Sequence, residues 1–260
     1  KNRESWSCTV PRHVPRAETD EGDYFASSAG QQHFALQPDP QVPWPDESLV
    51  PGFQKAICDY YDEVDKLGRV LLRIFARVLK CEEEAVLAMA DRHVSPVNLF
   101  SFTMGRGGEV LPAHADVSVF TILAHDTSAG AAGSAALEML TPEGTWEPVR
   151  SEPGCFTINL GQIMQRWSNG RMRATVHRVL PPLEGPPGAK RQSITFFQLL
   201  NYDASVSVLP ECLAQGAAPK YEPQSVAEWQ KDRLAGFYQP PEKLDVNKCW
   251  YHYNSDAYVA

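Results

Sequence analysis

The stretch that decides the fold runs from Leu111 to Phe197 and contains three short motifs with polar side chains. In chain order they are Leu111-Pro112-Ala113-His114-Ala115-Asp116, Ala174-Thr175-Val176-His177 and Arg191-Gln192-Ser193-Ile194-Thr195-Phe196-Phe197. Two imidazoles and one carboxylate can hold a divalent metal on one side and leave the opposite positions open for small ligands and oxygen. The motifs therefore indicate a catalytic metal site with His114, Asp116 and His177 as ligands.

The His114-x-Asp116 pair carries little weight by itself, because a histidine and an aspartate two residues apart arise by chance in many chains. The order of the whole set makes the pattern specific. A second histidine, His177, follows in a β-rich run, and Arg191-x-Ser193 comes after it on another predicted strand.

Five segments between residues 97 and 197 have the composition of short strands. Each is a β-branched or aromatic run bounded by Gly, Pro or Asn, which predicts a sandwich or barrel. Side chains two apart in a strand share a face, so we expect His114 to share one with Asp116, Arg191 with Ser193, and Arg173 and Thr175 with His177. The five segments are Val97–Phe102, Val117–Leu123, Cys155–Leu160, Arg173–Val179 and Gln192–Phe197.

Apolar residues recur at three- and four-residue spacing from Phe53 to Leu79, which predicts a long amphipathic helix. A short second helix is expected near Glu83–Asp91, with acidic residues in its first turn. Ser225-Val226-Ala227-Glu228 has the form of a capping box, which predicts a C-terminal helix over 225–238.

We expect a single domain over residues 1–260: an irregular N-terminal part (1–52), helices (53–91), a β-core (97–210) and the C-terminal helix (225–238). Prolines interrupt the first part, where Tyr24-Phe25 and His33-Phe34 could form short strands. Ser128–Ala136 is rich in Gly, Ala and Ser, which is typical of a loop. It fits either a plain hairpin loop or a lid over the metal site.

The composition favours a small-molecule substrate. Acidic residues number 32 against 24 basic ones, a net charge of −8, which argues against nucleic acid or an anionic membrane as partner. Six scattered cysteines with no C-x-x-C pair favour a reducing, cytoplasmic setting, and no apolar run approaches the length of a membrane span. We expect a monomer.

Arg191 and Ser193 form the second candidate site. A guanidinium offers a fixed fork for a carboxylate, and a hydroxyl two residues away on the same strand face can add a third hydrogen bond. A buried arginine without an anionic partner would cost several kcal/mol. The pair therefore predicts a clamp for the tail of a dicarboxylate. His125 fits either a residue that lines this pocket or an ordinary core or rim histidine.

These motifs resemble the isopenicillin N synthase-like group of iron(II)/2-oxoglutarate-dependent dioxygenases. Leu111 to Phe197 carries the similarity, which extends more faintly over the helix at 53–80 and over Tyr221-Glu222-Pro223. Further parts of the pattern are Phe120-Thr121-Ile122-Leu123-Ala124-His125-Asp126, Phe156-Thr157-Ile158-Asn159-Leu160-Gly161, Trp167-Ser168-Asn169-Gly170 and Ala174-Thr175-Val176-His177-Arg178-Val179.

The resemblance implies a mainly β fold with flanking helices, a double-stranded β-helix or jelly roll. It implies that His114, Asp116 and His177 bind iron(II), and that Arg191, Ser193 and Asn98 hold 2-oxoglutarate as cosubstrate. Oxidative decarboxylation of 2-oxoglutarate by O2 would then be coupled to hydroxylation, desaturation or cyclisation of a small molecule.

Three departures from the group bear on this interpretation. Phe100 stands where relatives usually carry a tyrosine hydroxyl, and Gln162 replaces the usual acid, which indicates a changed turn. The N-terminal segment with an Asn-His-Gly signature is not visible, which suggests a fragment or a diverged member. Two alternatives stay open: an iron oxidase independent of 2-oxoglutarate that uses Arg191 and Ser193 for the substrate's own carboxylate, and a silent ligand-binding module. Zinc hydrolysis at the same three ligands ranks last, since no acid is placed as a general base.

Overall fold

The computed structural model describes residues 3–8, 44–103, 111–125, 137–150, 152–180 and 190–230. Two antiparallel sheets and three helices dominate these ranges. The strands are β1 (Arg3–Cys8), β2 (Val97–Thr103), β3 (Leu111–His114), β4 (Phe120–His125), β5 (Leu137–Leu140), β6 (Trp146–Pro148), β7 (Phe156–Leu160), β8 (His177–Val179), β9 (Lys190–Gln198), β10 (Ser205–Val206) and β11 (Gln224–Ser225). The helices are α1 (Phe53–Leu79), α2 (Glu83–Ala88) and α3 (Gln162–Trp167), with a 3-10 turn at Pro210–Cys212.

The strands form two main sheets that pack against each other. The major sheet has the order β1-β2-β9-β4-β7, and the minor sheet has the order β3-β8-β5-β6, while β10 pairs with β11. Between the sheets, Leu123 of the major sheet packs against the buried pair Leu137 and Val179 of the minor sheet. Burial of these apolar side chains holds the two layers together. The arrangement is the two-layer sandwich expected of a jelly roll.

Helix α1 covers the outer face of the major sheet, as the apolar spacing predicts. The ring centroids of Tyr61 and Phe196 lie 5.6 Å apart, as do those of Phe75 and Phe120. The helix begins and ends where the sequence indicates, at Phe53 and Leu79, because its apolar stripe has the 3.6-residue period. Within the described ranges no helix is both long and apolar enough to cross a membrane.

Several strand boundaries differ from the sequence prediction. The strand expected over Arg173–Val179 begins only at His177, so Arg173 and Thr175 are not on its face. Two backbone bonds explain the late start: Ala174 N–H donates to the Gln165 side chain at 2.8 Å, and Thr175 N–H donates to Leu160 at 3.2 Å. These bonds take the place of the strand-to-strand hydrogen bonds that a longer β8 would form.

The strand expected over Val117–Leu123 begins at Phe120, since the carbonyls of Asp116 and Ser118 before it bond to the first turn of α3. β1 lies inside the part expected to be irregular and pairs with β2 from Arg3↔Phe102 to Cys8↔Val97. The short strands β5 and β6 were not predicted. The candidate strands at Tyr24-Phe25 and His33-Phe34 and the loop Ser128–Ala136 lie outside the described residues.

The predicted second helix and the predicted C-terminal helix can both be compared with the structure. The second helix is shorter than expected and stops at Ala88. The capping box is present, since Glu228 N–H donates to the Ser225 hydroxyl at 3.2 Å and Ser225 N–H donates to the Glu228 carboxylate at 3.3 Å. Residues 226–230 are helical, and the rest of the predicted helix lies outside the described residues.

Gln162 opens helix α3 and does not merely change a turn. The first turn of this helix holds the segment between β3 and β4 through the backbone: Gln162 N–H donates to the Asp116 carbonyl at 2.7 Å, and Ile163 N–H donates to the Ser118 carbonyl at 3.1 Å. The Gln162 side-chain amide donates to the Ala115 carbonyl at 3.1 Å. Three donors from one turn thus fix the segment that carries Asp116.

Gly161 precedes α3 and allows this close approach. Its backbone has φ −101°, which any residue can adopt, but a Cβ there would collide with the backbone carbonyl of Ser118. Glycine is therefore required at position 161 because of the close contact with the Ser118 backbone, and not because of its own backbone conformation. Gly68 in α1 provides a comparison, because a Cβ there would collide with the end of the Gln198 side chain and otherwise touch the Phe196 ring at an ordinary contact distance of 3.5 Å.

We predict that Gly161→Ala lowers the free energy of unfolding by about 2–3 kcal/mol, because the backbone of residues 116–118 must move. Gly68→Ala should change it by less than about 1 kcal/mol, since a side-chain shift is offset by the higher helix propensity of alanine. Urea unfolding followed by circular dichroism measures both. Equal destabilisation by the two substitutions would contradict the assignment.

Candidate active site

His114 and His177 meet across the β3–β8 pair. His114 ends β3, His177 begins β8, and the two residues are Cα partners in the ladder. Their ring centroids lie 4.3 Å apart. Two histidines that are distant in sequence are therefore brought together by strand pairing alone.

Asp116 lies two residues beyond the end of β3, so the pair is not on one strand as expected, yet its carboxylate faces both histidines. Its Oδ1 is 3.6 Å from His114 Nε2 and 3.7 Å from His177 Nε2. Its Oδ2 accepts hydrogen bonds from the Thr121 hydroxyl at 2.6 Å and from the Asn159 amide at 2.9 Å. One oxygen is thus anchored to the major sheet, and the other points at the imidazoles.

The backbone selects the tautomer of each histidine. His114 Nδ1 is 2.8 Å from the Pro112 carbonyl, and His177 Nδ1 is 3.0 Å from the Thr175 carbonyl. A carbonyl oxygen can only accept, so in each ring Nδ1 carries the proton and Nε2 carries the lone pair. Two lone pairs and a carboxylate oxygen converge, which is unfavourable unless a cation lies between them.

The three donor atoms lie within 4.8 Å of one another and form the one such cluster of His, Cys, Asp or Glu in the described ranges. His114 and Asp116 are 4% and 5% exposed. Backbone carbonyls that hold the outer nitrogen of each ligand are typical of metal sites. The donor set therefore fits a divalent metal with open positions on the far side.

The charge of Asp116 is maintained despite its burial. Burial by itself would raise the pKa of this carboxyl, but the positive charge that His177 and His114 carry when protonated, together with the hydrogen bonds from Thr121 and Asn159, outweighs burial and lowers the pKa. The carboxylate is therefore ionised at neutral pH, as a metal ligand requires.

Arg191 and Ser193 lie on the inner face of the major sheet. Both are on β9 and both are buried, with 2% and 6% exposure. The neighbouring strands fix what surrounds them: Ser193 pairs with Phe100 of β2 on one side and with His125 of β4 on the other. The structure thus brings His125 beside the predicted clamp, which the sequence leaves open.

Asn98 and the aromatic residues of β2 complete this region. Asn98 pairs with Thr195, two positions along β9 from Ser193, so it shares the inner face. The Phe100 and Phe102 rings are stacked at 5.9 Å, and the Arg191 guanidinium lies 5.9 Å from the Phe102 ring centroid. An apolar wall therefore stands where a tyrosine hydroxyl would have offered a hydrogen bond.

Met139 faces the same interior beside the metal-ligand cluster. It is the Cα partner of His177 in the β5–β8 pair, so the two side chains share a face. Leu137, two residues earlier, is buried on that face, whereas Met139 is 36% exposed. Met139 is therefore accessible to solvent next to His177.

Four residues of this region have no distinctive sequence pattern: Thr121, Thr157, Asn159 and Met139. Thr157 and Asn159 alternate with apolar residues in β7, which places them on one face of the strand, but the same alternation is typical of a face exposed to solvent. Their partners could not be deduced, because cross-strand register is not encoded in the local pattern.

Residues 91–199 match the sequence pattern of the 2OG-Fe(II) oxygenase superfamily. A curated relative, the 2-oxoglutarate-dependent dioxygenase phqC of Penicillium fellutanum, is 30% identical over 90% of this chain and 70% of its own length. The chain belongs to this superfamily. The 2-oxoglutarate-Fe(II) type oxidoreductase hxnY of Emericella nidulans is 29% identical over 85% of this chain and 63% of its own length.

Solved structures agree on the fold. A full-length Neurospora crassa protein, crystallised in complex with alpha-KG, superimposes with a TM-score of 0.72 at 21% identity, covering 92% of this chain and 66% of that one. A 2OG-Fe(II) oxygenase family protein from Caulobacter crescentus gives 0.69 at 25% identity, covering 90% and 69%. The jelly-roll prediction is confirmed. The chain spans about two thirds of the length of these relatives.

We predict that Thr121→Val weakens metal binding by about tenfold, because it removes one of the two hydrogen bonds that orient Asp116. Thr145→Val is the matched control, since Thr145 bonds to Thr141 in an exposed turn and should leave metal affinity unchanged. Calorimetric titration with Mn²⁺ measures both. Unchanged affinity in Thr121→Val would show that Asp116 is held without this bond.

The stability of the protein is expected to depend on pH through His125. Burial and the charge of Arg191 lower the pKa of His125 to about 4, from 6.5 in the unfolded chain. Between these values the unfolded chain binds a proton that the folded protein does not, so stability is lost as pH falls from about 6.5 towards 4. Allowing for partial contact with solvent, the parent should lose on the order of 1 kcal/mol more than His125→Asn between pH 7 and pH 5. Urea unfolding at the two pH values tests this, and equal losses would refute it.

Proposed function

We propose that the protein is an iron(II)- and 2-oxoglutarate-dependent dioxygenase that oxidises a small molecule. His114, Asp116 and His177 would hold iron(II), and Arg191 with Ser193 would hold the distal carboxylate of 2-oxoglutarate. Asn98 contributes from the neighbouring strand. In the overall reaction, 2-oxoglutarate and O2 give succinate and carbon dioxide, and the second oxygen atom enters the substrate as a hydroxyl group or leaves as water after desaturation or cyclisation.

One observation carries the proposal: a site for a cation and a site for an anion lie in the interior of the same sandwich. The cation site is the convergence of two imidazole lone pairs and Asp116 Oδ1. The anion site is Arg191, which is 2% exposed, with Ser193 on the same strand face. 2-Oxoglutarate matches both, because its keto-acid end is a metal chelator and its other end is a carboxylate.

The protein's own residues position the reactants. Thr121 and Asn159 keep Asp116 Oδ1 directed at the imidazoles, and the Pro112 and Thr175 carbonyls keep both Nε2 atoms unprotonated. The buried guanidinium binds and orients the cosubstrate tail. Iron(II), when bound, supplies the redox chemistry that activates O2.

The substrate side of the site is expected to accept an apolar group. Met139 lies beside His177 on the inner face and is partly exposed there, and a thioether chain adapts its shape to apolar ligands. The acidic net charge favours a small molecule over nucleic acid or an anionic membrane. A cytoplasmic monomer and a single domain over residues 1–260 remain our predictions.

Phe100 is the observation that favours one alternative function. Because it offers no hydroxyl to the clamp, Arg191 and Ser193 could instead hold the substrate's own carboxylate in an oxidase that needs no 2-oxoglutarate. Formation of one succinate per oxidised substrate supports the proposal, and oxidation without succinate supports the alternative. A silent binding module would give neither product.

The direct test is anaerobic reconstitution with iron(II) and 2-oxoglutarate, followed by visible spectroscopy for the weak metal-to-ligand charge-transfer band. We expect the band in the parent, its loss in Asp116→Ala through lost metal, and its loss in Arg191→Ala at cosubstrate concentrations that saturate the parent. Iron binding itself should survive in Arg191→Ala.

Arg178→Ala is the matched control. Arg178 follows His177 directly, but its guanidinium bonds to Glu138 at 2.8 Å and stacks on the Trp146 ring at 4.1 Å, away from the clamp. This variant should retain the band. Absence of the band in the parent despite bound iron would refute the 2-oxoglutarate assignment.

A further inference from the structure

The His125 imidazole bridges three adjacent strands of the major sheet and ends at Arg191. Its Nε2 lies 3.0 Å from the Thr157 hydroxyl of β7, and its Nδ1 lies 3.0 Å from Nη2 of Arg191 on β9. His125 itself is the last residue of β4, which lies between the other two strands. The three side chains therefore form a chain of hydrogen bonds that runs across the sheet.

The direction of each bond follows from the chemistry of the guanidinium. Arginine can only donate, so His125 Nδ1 must accept from Arg191 and carry the lone pair. In the neutral ring the proton is then on Nε2, which donates to the Thr157 hydroxyl. Arg191 thus requires the tautomer of His125 that carries its proton on Nε2. The Thr157 hydroxyl, which can donate or accept, accepts from Nε2 and holds the ring in this orientation.

The neutral form of His125 matters for the charge of the clamp. Burial first, and then the positive charge of Arg191, lower the pKa of His125 to about 4, so the ring is uncharged at physiological pH. An aspartate or glutamate in this place would form an ion pair with Arg191 and compete with an incoming carboxylate. A neutral acceptor orients the guanidinium without cancelling its charge.

The other neighbour of Ser193 cannot take this role. Phe100 flanks Ser193 from β2, and Phe102 flanks Arg191, so that side of the clamp is aromatic. The aromatic faces confine the guanidinium but accept no conventional hydrogen bond from its edge. Among the described residues of the neighbouring strands, the hydrogen bond that directs the guanidinium therefore comes from β4, through His125.

We propose that His125 is the positioning residue for Arg191, and that with Thr157 it holds the guanidinium ready to receive the distal carboxylate of 2-oxoglutarate. The inference rests on the proposed function and adds two residues to it. It also explains why Phe100 can be aromatic. The guanidinium is aligned from β4, which lies on the opposite side of β9 from Phe100.

The test measures binding of 2-oxoglutarate to the Mn²⁺-loaded protein by calorimetry, so that no turnover is needed. His125→Leu should weaken binding by about tenfold, whereas Mn²⁺ affinity and the thermal unfolding midpoint in the presence of Mn²⁺ change little. His125→Asn should restore binding to within about threefold of the parent, because its Oδ1 takes the place of Nδ1 as acceptor. Thr157→Val, which removes only the hydroxyl that holds the His125 ring in place, should lie between the two.

A double-mutant cycle asks whether His125 acts through Arg191. In an Arg191→Met background, His125→Leu should change the remaining affinity by less than twofold, since the guanidinium that it orients is gone. In steady-state assays with any accepted substrate, His125→Leu should raise the KM for 2-oxoglutarate and leave kcat within about threefold.

The outcomes separate the two proposals. If the Mn²⁺-loaded parent does not bind 2-oxoglutarate, the proposed function fails. If the parent binds it but His125→Leu binds equally well, or His125→Asn is as weak as His125→Leu, or the effect of His125→Leu persists without Arg191, then the positioning role is overturned and the proposed function stands.

Discussion

The first turn of α3 fixes the segment that carries Asp116, and the candidate metal site depends on this contact. The turn donates to the Asp116 and Ser118 carbonyls, and Gly161 lets the two backbones approach closely enough for those bonds to form. Asp116 lies outside regular secondary structure, where a short loop would otherwise sample several conformations. Because the Asp116 backbone is bonded to a helix and its Oδ2 to two strands, the direction in which Oδ1 points is fixed.

The sequence predicts those parts of the structure that depend on local periodicity. Helix α1 follows from apolar spacing, and the strand from Val97 follows from its β-branched and aromatic composition, because each pattern reports one buried face. The strand expected from Arg173 was wrong at its start, since the residues before His177 use their amides for bonds to Gln165 and Leu160. Such competition is tertiary, and a window of sequence does not contain it.

The same distinction applies to the site. The three candidate metal ligands and the Arg191-Ser193 pair could be named from sequence because their residue types and order are specific. The hydrogen bonds of Thr121 and Asn159 to Asp116, and of Thr157 and His125 towards Arg191, depend on register between strands that are far apart in sequence. A shift of one residue in β4 would turn Thr121 and His125 to the other face of the sheet together. Their roles therefore became visible only once the pairing was known.

Charge explains why the two halves of the site are built differently. The proposed metal half needs a permanent negative charge. Asp116 keeps its charge while buried because two neutral donors bond to its carboxylate and the imidazoles beside it attract it when they are protonated. The proposed clamp half needs a positive charge that is still available to a ligand, which a neutral residue against Arg191 leaves in place. A carboxylate beside Arg191 would give a more stable empty protein and a poorer binding site, because the internal ion pair would have to be broken on each binding event. A neutral imidazole held by a threonine orients the guanidinium and leaves its charge available, and it does so with a single hydrogen bond to the guanidinium.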